Sequence, residues 1–192
     1  MDYDNLKIIA LHKHPEFLEA CCEMINDEWP RSRTARMMSL TASCDELPTS
    51  LILIDDQFHL LGHAKLTSLP SVPDSCFIET VVIKKDMRGK RLGSFLMRQV
   101  EQYCKSVLNL KMLHLSTKGQ EDFYAKLGYT VCAPVSIYGT VVRTKVESSK
   151  RAEKQKSPKS DNAAPPPPPM PIPQNVSETA IKSSKTYMFK HL

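Results

Sequence analysis

Long apolar runs are missing from this sequence. Nowhere do about 18 apolar residues follow one another, so no membrane-spanning helix and no membrane partner are expected. The opening residues, MDYDNLKIIALHKH, are acidic and then mixed. They lack the basic start and apolar stretch of a secretory signal, so a cytosolic setting is expected, with the nucleus as the other default. The six cysteines, Cys21, Cys22, Cys44, Cys76, Cys104 and Cys132, form no C-x-x-C pair, and none lies at zinc spacing from a histidine. The expectation is buried, reduced thiols and no metal. Aromatic residues are only 7%, and no nucleic-acid module is recognisable, so the net charge of +5 is not read as a nucleic-acid footprint. An anionic cofactor or an acidic substrate accounts for a basic balance equally well. Neither G-x-x-x-x-G-K-[ST] nor G-x-G-x-x-G occurs, which excludes a P-loop and a dinucleotide fingerprint.

What is present suits one α/β domain with a tail or insert. Residues 6–10 read as a first strand. His14-Pro15 opens a helix in which Phe17, Leu18, Cys21, Cys22 and Ile25 recur at helical spacing. That helix should stop before Trp29-Pro30, because a residue preceding proline avoids the helical region. RSRTARMMSL leads into a short helix capped by Ser32 or Thr34. Residues 51–54 and 58–66 read as a hairpin turning at Asp55-Asp56. Residues 76–83, CFIETVVI, are β-branched and nearly continuous, which predicts a central strand buried on both faces. A helix over 94–107 with inner positions Phe95, Leu96, Val100, Tyr103 and Cys104, a strand over 111–116 and a helix over 121–127 ended by Gly128 follow. Residues 129–146 read as strand with a turn near Tyr138-Gly139.

The character then changes. Eight of the 14 prolines lie between Pro158 and Pro173, and apolar periodicity is absent. Residues 147–180 are expected to be a disordered Lys/Ser-rich and polyproline insert after a folded unit over 1–146. TYMFKHL alternates again, so 181–192 are expected to return to the sheet as a strand.

The most informative unit is strand CFIETVVI, loop KKDMRGKRLG and helix SFLMRQVEQYC. Free N–H groups at a helix N-terminus and the helix dipole attract anions. Glycines allow close backbone approach, and Arg88, Lys90 and Arg91 add charge. The run RGKRLG resembles the R/Q-x-x-G-x-G/A loop of the GCN5-related N-acetyltransferases. The resemblance puts Arg88 at the leading position and Gly93 at the last. Arg91 replaces the middle glycine, which implies a sterically restricted turn there. Farther on, Phe123-Tyr124-Ala125-Lys126-Leu127-Gly128-Tyr129 matches the family pattern F-Y-x-x-x-G-[FY].

The resemblance implies an α/β (α+β) fold with a mixed central sheet flanked by helices and splayed central strands. It implies acetyl-CoA as co-substrate, bound by Arg88, Gly89, Lys90, Arg91, Leu92, Gly93 and Ser94. Backbone N–H groups of Val81, Val82 and Ile83 would hold the pantetheine arm, and Gln120 joins the same set. Tyr124 would lie near the CoA sulfur and protonate the leaving thiolate. Glu79 is the candidate base, since apolar surroundings raise a carboxylate's proton affinity, and His114 is a second candidate.

In this family the loop after the first helix lines the acceptor groove. Here it carries Trp29, Arg31, Arg33 and Arg36, and three arginines suit an acidic acceptor. His114 and Lys118 are grouped with them. INDEWPRSRTAR, GHAKL and LHLSTKGQEDFYAKLGY, together with the polyproline run, resemble the branch of the family that acetylates the acidic amino terminus of processed actin. Pro165, Pro166, Pro167, Pro168, Pro169, Pro171 and Pro173 favour a preformed polyproline II ligand for an aromatic groove. The resemblance implies profilin as that partner, and an SH3-type groove is the rival. A lysine or small-amine acetyltransferase, or a non-catalytic acyl-CoA-binding scaffold, are the alternative functions.

Overall fold

The computed structural model describes residues 3–138 and 185–192. Its elements are β1 (Leu6–Ala10), α1 (Leu18–Glu28), α2 (Arg33–Thr41), β2 (Thr49–Asp55), β3 (Leu60–Ser68), β4 (Ser75–Ile83), α3 (Leu92–Ser106), β5 (Met112–Thr117), α4 (Glu121–Lys126), β6 (Thr130–Val131) and β7 (Thr186–His191). They form a seven-stranded sheet in the order β1-β2-β3-β4-β5-β7-β6. The β4–β5 pair is parallel and the others are antiparallel.

Both faces are covered. On β2, Leu51 and Leu53 face the α3 side, while Ile52 and Ile54 face α1 and α2. Strand alternation thus splits one apolar run between two cores. The first core packs Leu66, Cys76, Ile78, Leu113, Leu115 and Met188 against Leu92, Leu96, Met97, Val100 and Cys104. The second packs Val82 against Cys21, Cys22, Ile25 and Leu40.

The site depends on an interruption in β4. Its parallel pairing with β5 covers Ser75–Ile78 against Met112–Leu115 and goes no farther. On the other side, Lys65 pairs with Thr80 and Leu66 with Ile78, so Glu79 is the extra residue of a β-bulge. From Glu79 onward β4 keeps β3 as a neighbour and has lost β5, which leaves one edge open.

Several expectations change. The first helical segment begins as two separate single turns, Leu11–Lys13 and Pro15–Phe17, before α1 starts at Leu18. The α1 helix does end at Trp29, whose backbone is extended as the following proline requires. Ser32 supplies the α2 cap by accepting from the Ala35 N–H. Phe58 lies in the turn with a positive φ of 61° and is exposed, so β3 starts at Leu60. β4 is buried at its ends only. Glu79 is exposed, and Thr80 and Val81 are half-buried, because β5 has left them. α3 starts two residues earlier than its apolar spacing suggests and buries Met97, whereas Phe95 and Tyr103 are only partly buried. The strand expected over 129–146 shrinks to Thr130–Val131, and its part beyond residue 138 lies outside the described residues. Four thiols are buried, but Cys44 is exposed and Cys132 half-buried. The C-terminal segment pairs through β7 with both β5 and β6.

His63, on β3 between Ile52 and Val82, is fully buried, and neither ring nitrogen has a hydrogen-bond partner among the described residues. Burial first, then the nearby Lys65 and Arg36 charges, push its pKa down to about 3. The folded protein therefore holds His63 neutral, while the unfolded chain protonates it near its ordinary value of about 6.5. A depressed folded pKa gives stability that is full above pH ~6.5 and is lost as pH falls toward 3. We predict that the unfolding free energy drops by roughly 1 kcal/mol per pH unit between pH 6.5 and 5. Denaturant melts should find most of that slope gone in His63→Leu; an unchanged slope contradicts the assignment.

Candidate active site

The chain leaves β4 at Ile83, makes a single turn at Lys85–Met87 and reverses through two left-handed residues, Gly89 (φ 79°) and Arg91 (φ 60°, ψ 13°). Glycine adopts this conformation freely; for arginine it costs about 1–2 kcal/mol. The reversal brings α3 in with Arg91 as its N-cap and no side-chain cap. Its first internal bond runs from the Phe95 N–H to the Arg91 carbonyl. The N–H groups of Leu92, Gly93 and Ser94 are therefore left unspent, at the positive end of the helix dipole.

These residues form one wall of a cavity of about 550 Å³. Val81, Val82 and Ile83 on the open edge of β4 form a second wall, and Gln120, Phe123 and Tyr124 a third. Gly93 sits tightly in this arrangement: a Cβ added there would lie 3.4 Å from Phe123 Cζ and 4.0 Å from Ile83 Cγ1. Trp29, Glu28, Met87, Arg88, Gly89 and Arg91 complete the lining.

Most of the expected cofactor residues meet here. Lys90 does not, since its Nζ turns to Met87 Sδ at 3.4 Å and it is absent from the lining. Arg88 is present but already engaged. Its Nε–H donates to the Ile83 carbonyl at 3.0 Å, and an Nη2–H donates to Glu28 Oε2 at 2.7 Å. The guanidinium thus ties the loop to the end of α1, and Glu28 offsets its charge. Trp29, expected on the acceptor side, lines this cavity at its half-exposed mouth.

Tyr124 is held between Phe123 and Tyr129, with ring centroids 4.9 Å and 5.8 Å away. Burial pushes its phenol up to about 12, so the proton is retained throughout the neutral range. Its hydroxyl has no hydrogen-bond partner among the described residues and is not sealed from the cavity. The cavity has an anion-seeking helix end, an open strand edge with unpaired backbone groups and a protonated phenol. That sequence of chemistries fits an elongated ligand with a pyrophosphate at one end and a thioester at the other.

The remaining candidates lie on the α1–α2 side of β4 or beyond it. Glu79 stands outside the cavity lining, with Oε2 3.1 Å from Lys65 Nζ and 2.9 Å from Thr67 Oγ1. Lys65 also donates to Ser39 Oγ. Arg36 closes the end of α1, donating to the Trp29 carbonyl at 2.8 Å and to Asn26 Oδ1 at 3.0 Å. Its proton affinity is lowered by burial and by Arg31, and Cys22 and Glu79 act in the opposite sense. Arg31, Arg36 and Glu79 are therefore electrostatic neighbours. Arg33 is turned into a surface ion pair with Glu19. Arg31 and Lys118 are exposed and have no partner among the described residues. His114 is buried in β5 beside Phe77 and stacked on Phe189 at 5.9 Å; its Nδ1 is unpartnered, and burial followed by His191 lowers its pKa. It too lies outside the cavity lining. Pro165 to Pro173 fall outside the described residues.

Sequence reasoning missed Glu28, Met87, Phe123 and Lys65. Phe123 was legible in FYAKLGY. Lys65 stands in GHAKL, two residues from His63 on the same strand face, but its partner Glu79 is set by a bulge that alternation does not reveal.

Residues 18–129 match the sequence profile of the Acetyltransferase (GNAT) family. The chain is similar to N-alpha-acetyltransferase 80 of Mus musculus, with 39% identity over 127 residues, covering 63% of this chain and 40% of that protein. The chain thus spans less than half the length of this curated relative. Among solved structures it is similar to spermidine N-acetyltransferase from Vibrio cholerae in complex with CoA and spermine (TM-score 0.57, 18% identity, 67% of this chain and 83% of that one). It is also similar to an acetyltransferase of the GNAT family from Staphylococcus aureus Mu50 (TM-score 0.59, 16% identity, 97% and 99%). At these identities the likeness is one of fold. The matched span runs from the first residue of α1 to the residue before β6 and contains every wall of the cavity, and the chain belongs to the GNAT acetyltransferase family, whose acyl donor is acetyl-CoA.

Proposed function

We propose that this protein transfers acetyl from acetyl-CoA to the free α-amino group of an acidic protein N-terminus, with processed actin as the acceptor, in the cytosol. The observation that carries the reading is the charge on the α1–α2 side of β4: Lys65 and Arg36 both lie near the Glu79 carboxylate, and Arg31 adds a cation beside Arg36. The excess of positive charge suits an acceptor bringing its own carboxylates. Similarity to an N-alpha-acetyltransferase supports the α-amine as the nucleophile. A polyamine acceptor, like that of the Vibrio enzyme, is a polycation and would be repelled from the same groups. The polyproline run, Pro165 to Pro173, would recruit profilin as a carrier of actin.

In this reading the N–H groups of Leu92, Gly93 and Ser94 hold the pyrophosphate, aided by the residual charge of Arg91. The open edge of β4 from Val81 to Ile83 binds the pantetheine amides as a missing strand would. Acetyl-CoA supplies the thioester. An α-amino group has an ordinary pKa of about 7.7–8.0, so a useful fraction is neutral at physiological pH, and the base needs only to remove one proton. Glu79 takes that role, with His114 as the second candidate. Tyr124 donates its proton to the departing thiolate.

Two outcomes test these roles. Arg31→Glu should lower kcat/KM on peptides beginning Asp-Asp-Asp or Glu-Glu-Glu at least tenfold and leave acetyl-CoA affinity unchanged; equal rates on acidic and Ser-Ser-Ser peptides in the unsubstituted protein would refute the acceptor class. Tyr124→Phe should cut kcat roughly 10²-fold with little change in KM, as expected for loss of a general acid. Full turnover in that variant would remove Tyr124 from the chemistry.

A further inference from the structure

The pair Lys65–Glu79 is incomplete in an informative way. Glu79 spends a single oxygen on both partners, Oε2 accepting from Lys65 Nζ and from Thr67 Oγ1, and Oε1 has no partner among the described residues. Lys65 has three N–H donors, of which Ser39 Oγ and Glu79 Oε2 take two. Its side chain is only 14% exposed, so the ammonium is held under α2 and depends on an anionic neighbour. Arg36 lies near the same Glu79 and His63, Arg31 lies near Arg36, and His63 beside Lys65 on β3 is neutral. Glu79 is the anion that pairs with Lys65 among the described residues, and it is 36% exposed, within reach of an incoming group.

An acceptor carboxylate has the same chemistry as the Glu79 side chain. It can replace Glu79 on Lys65 with little electrostatic cost, one carboxylate being exchanged for another, and it has two more cations nearby. A serine or alanine side chain cannot. A carboxylate oxygen that already accepts from an ammonium and a hydroxyl is also not free to meet an incoming amine. Resting on the acidic-terminus reading above, we infer that Lys65 is a specificity-determining residue that gates the base: the first acidic side chain of the acceptor takes Lys65 from Glu79, and the released Glu79 receives the proton of the acceptor's α-ammonium. The nitrogen lone pair so freed forms the amide bond at the thioester carbon, the carbon–sulfur bond breaks, the thiolate takes the Tyr124 proton, and the second proton leaving the amide nitrogen restores the Tyr124 phenol. Acidic termini would then be chosen by activation as well as by binding.

The test compares kcat/KM of the full chain at saturating acetyl-CoA on two peptides that differ only in beginning Asp-Asp-Asp or Ser-Ser-Ser. In Lys65→Met the acidic peptide should slow at least tenfold and the neutral one should speed up at least threefold, because Glu79 is no longer clamped. Thr67→Val, which removes the second bond to the same oxygen and keeps Lys65, should raise the neutral rate by a smaller factor. Lys65→Arg should keep the acidic preference. Acetyl-CoA affinity within twofold of the unsubstituted protein certifies each fold, and Thr67→Val and Lys65→Arg decide the matter should Lys65→Met fail that check. A Lys65→Met protein that loses acidic activity with no gain on the neutral peptide overturns the gate and leaves the acidic-terminus reading standing. No preference in the unsubstituted protein overturns both.

Discussion

The parallel ladder between β4 and β5 stops at Ile78, and the geometry of the site is a consequence of that stop. A sheet interior normally satisfies every backbone N–H and C=O by pairing. Here the bulge at Glu79 and the departure of β5 leave the second half of β4 with one unpaired edge next to a helix whose first three N–H groups are also unpaired. Two sets of unsatisfied backbone groups meet in one cavity. They provide for a phosphate at one end and for amides along the other without any buried side-chain charge dedicated to the ligand.

The charges are arranged in two groups with opposite balance. On the cavity side, Arg88 is matched by Glu28, which leaves the helix end and Arg91 as the unmatched positive groups of the lining. On the α1–α2 side, Glu79 pairs with Lys65 and lies near Arg36, to which Arg31 adds a further cation. Arg36 contributes to this excess while also closing α1, so its orientation is set by the Trp29 carbonyl and Asn26 before any acceptor arrives. A site whose cations are fixed by the fold loses less side-chain entropy on binding than one built of free arginines.

The two sequence motifs located the cavity because each depends on local backbone chemistry. RGKRLG makes a left-handed reversal into a helix, and FYAKLGY carries a helix ended by Gly128 at φ 89°. Both read directly from adjacent residues. The interactions that sequence did not give are long-range. Arg88 and Glu28 are 60 positions apart, and Lys190 of β7 meets Glu101 across 89. Arg33 and Arg36 looked equivalent in RSRTAR, yet one turns outward to Glu19 and the other inward to the end of α1, a choice made by helix packing. The bulge that exposes Glu79 is a register event between β3 and β4, and nothing in the apolar run CFIETVVI marks it. His114 alternates properly with Leu113 and Leu115, but alternation alone did not say that it faces Phe189 away from the cavity lining.

We propose that unpaired N–H groups at the start of α3 and along the open edge of β4 bind acetyl-CoA. The most direct measurement is a titration of isotope-labelled protein with CoA, followed through its backbone amide resonances. The largest shifts are expected at Leu92, Gly93 and Ser94, with a second set at Val81 to Ile83. Shifts concentrated elsewhere, such as around Phe58 and His59 at the β2–β3 turn, with the α3 amides unmoved, would contradict it.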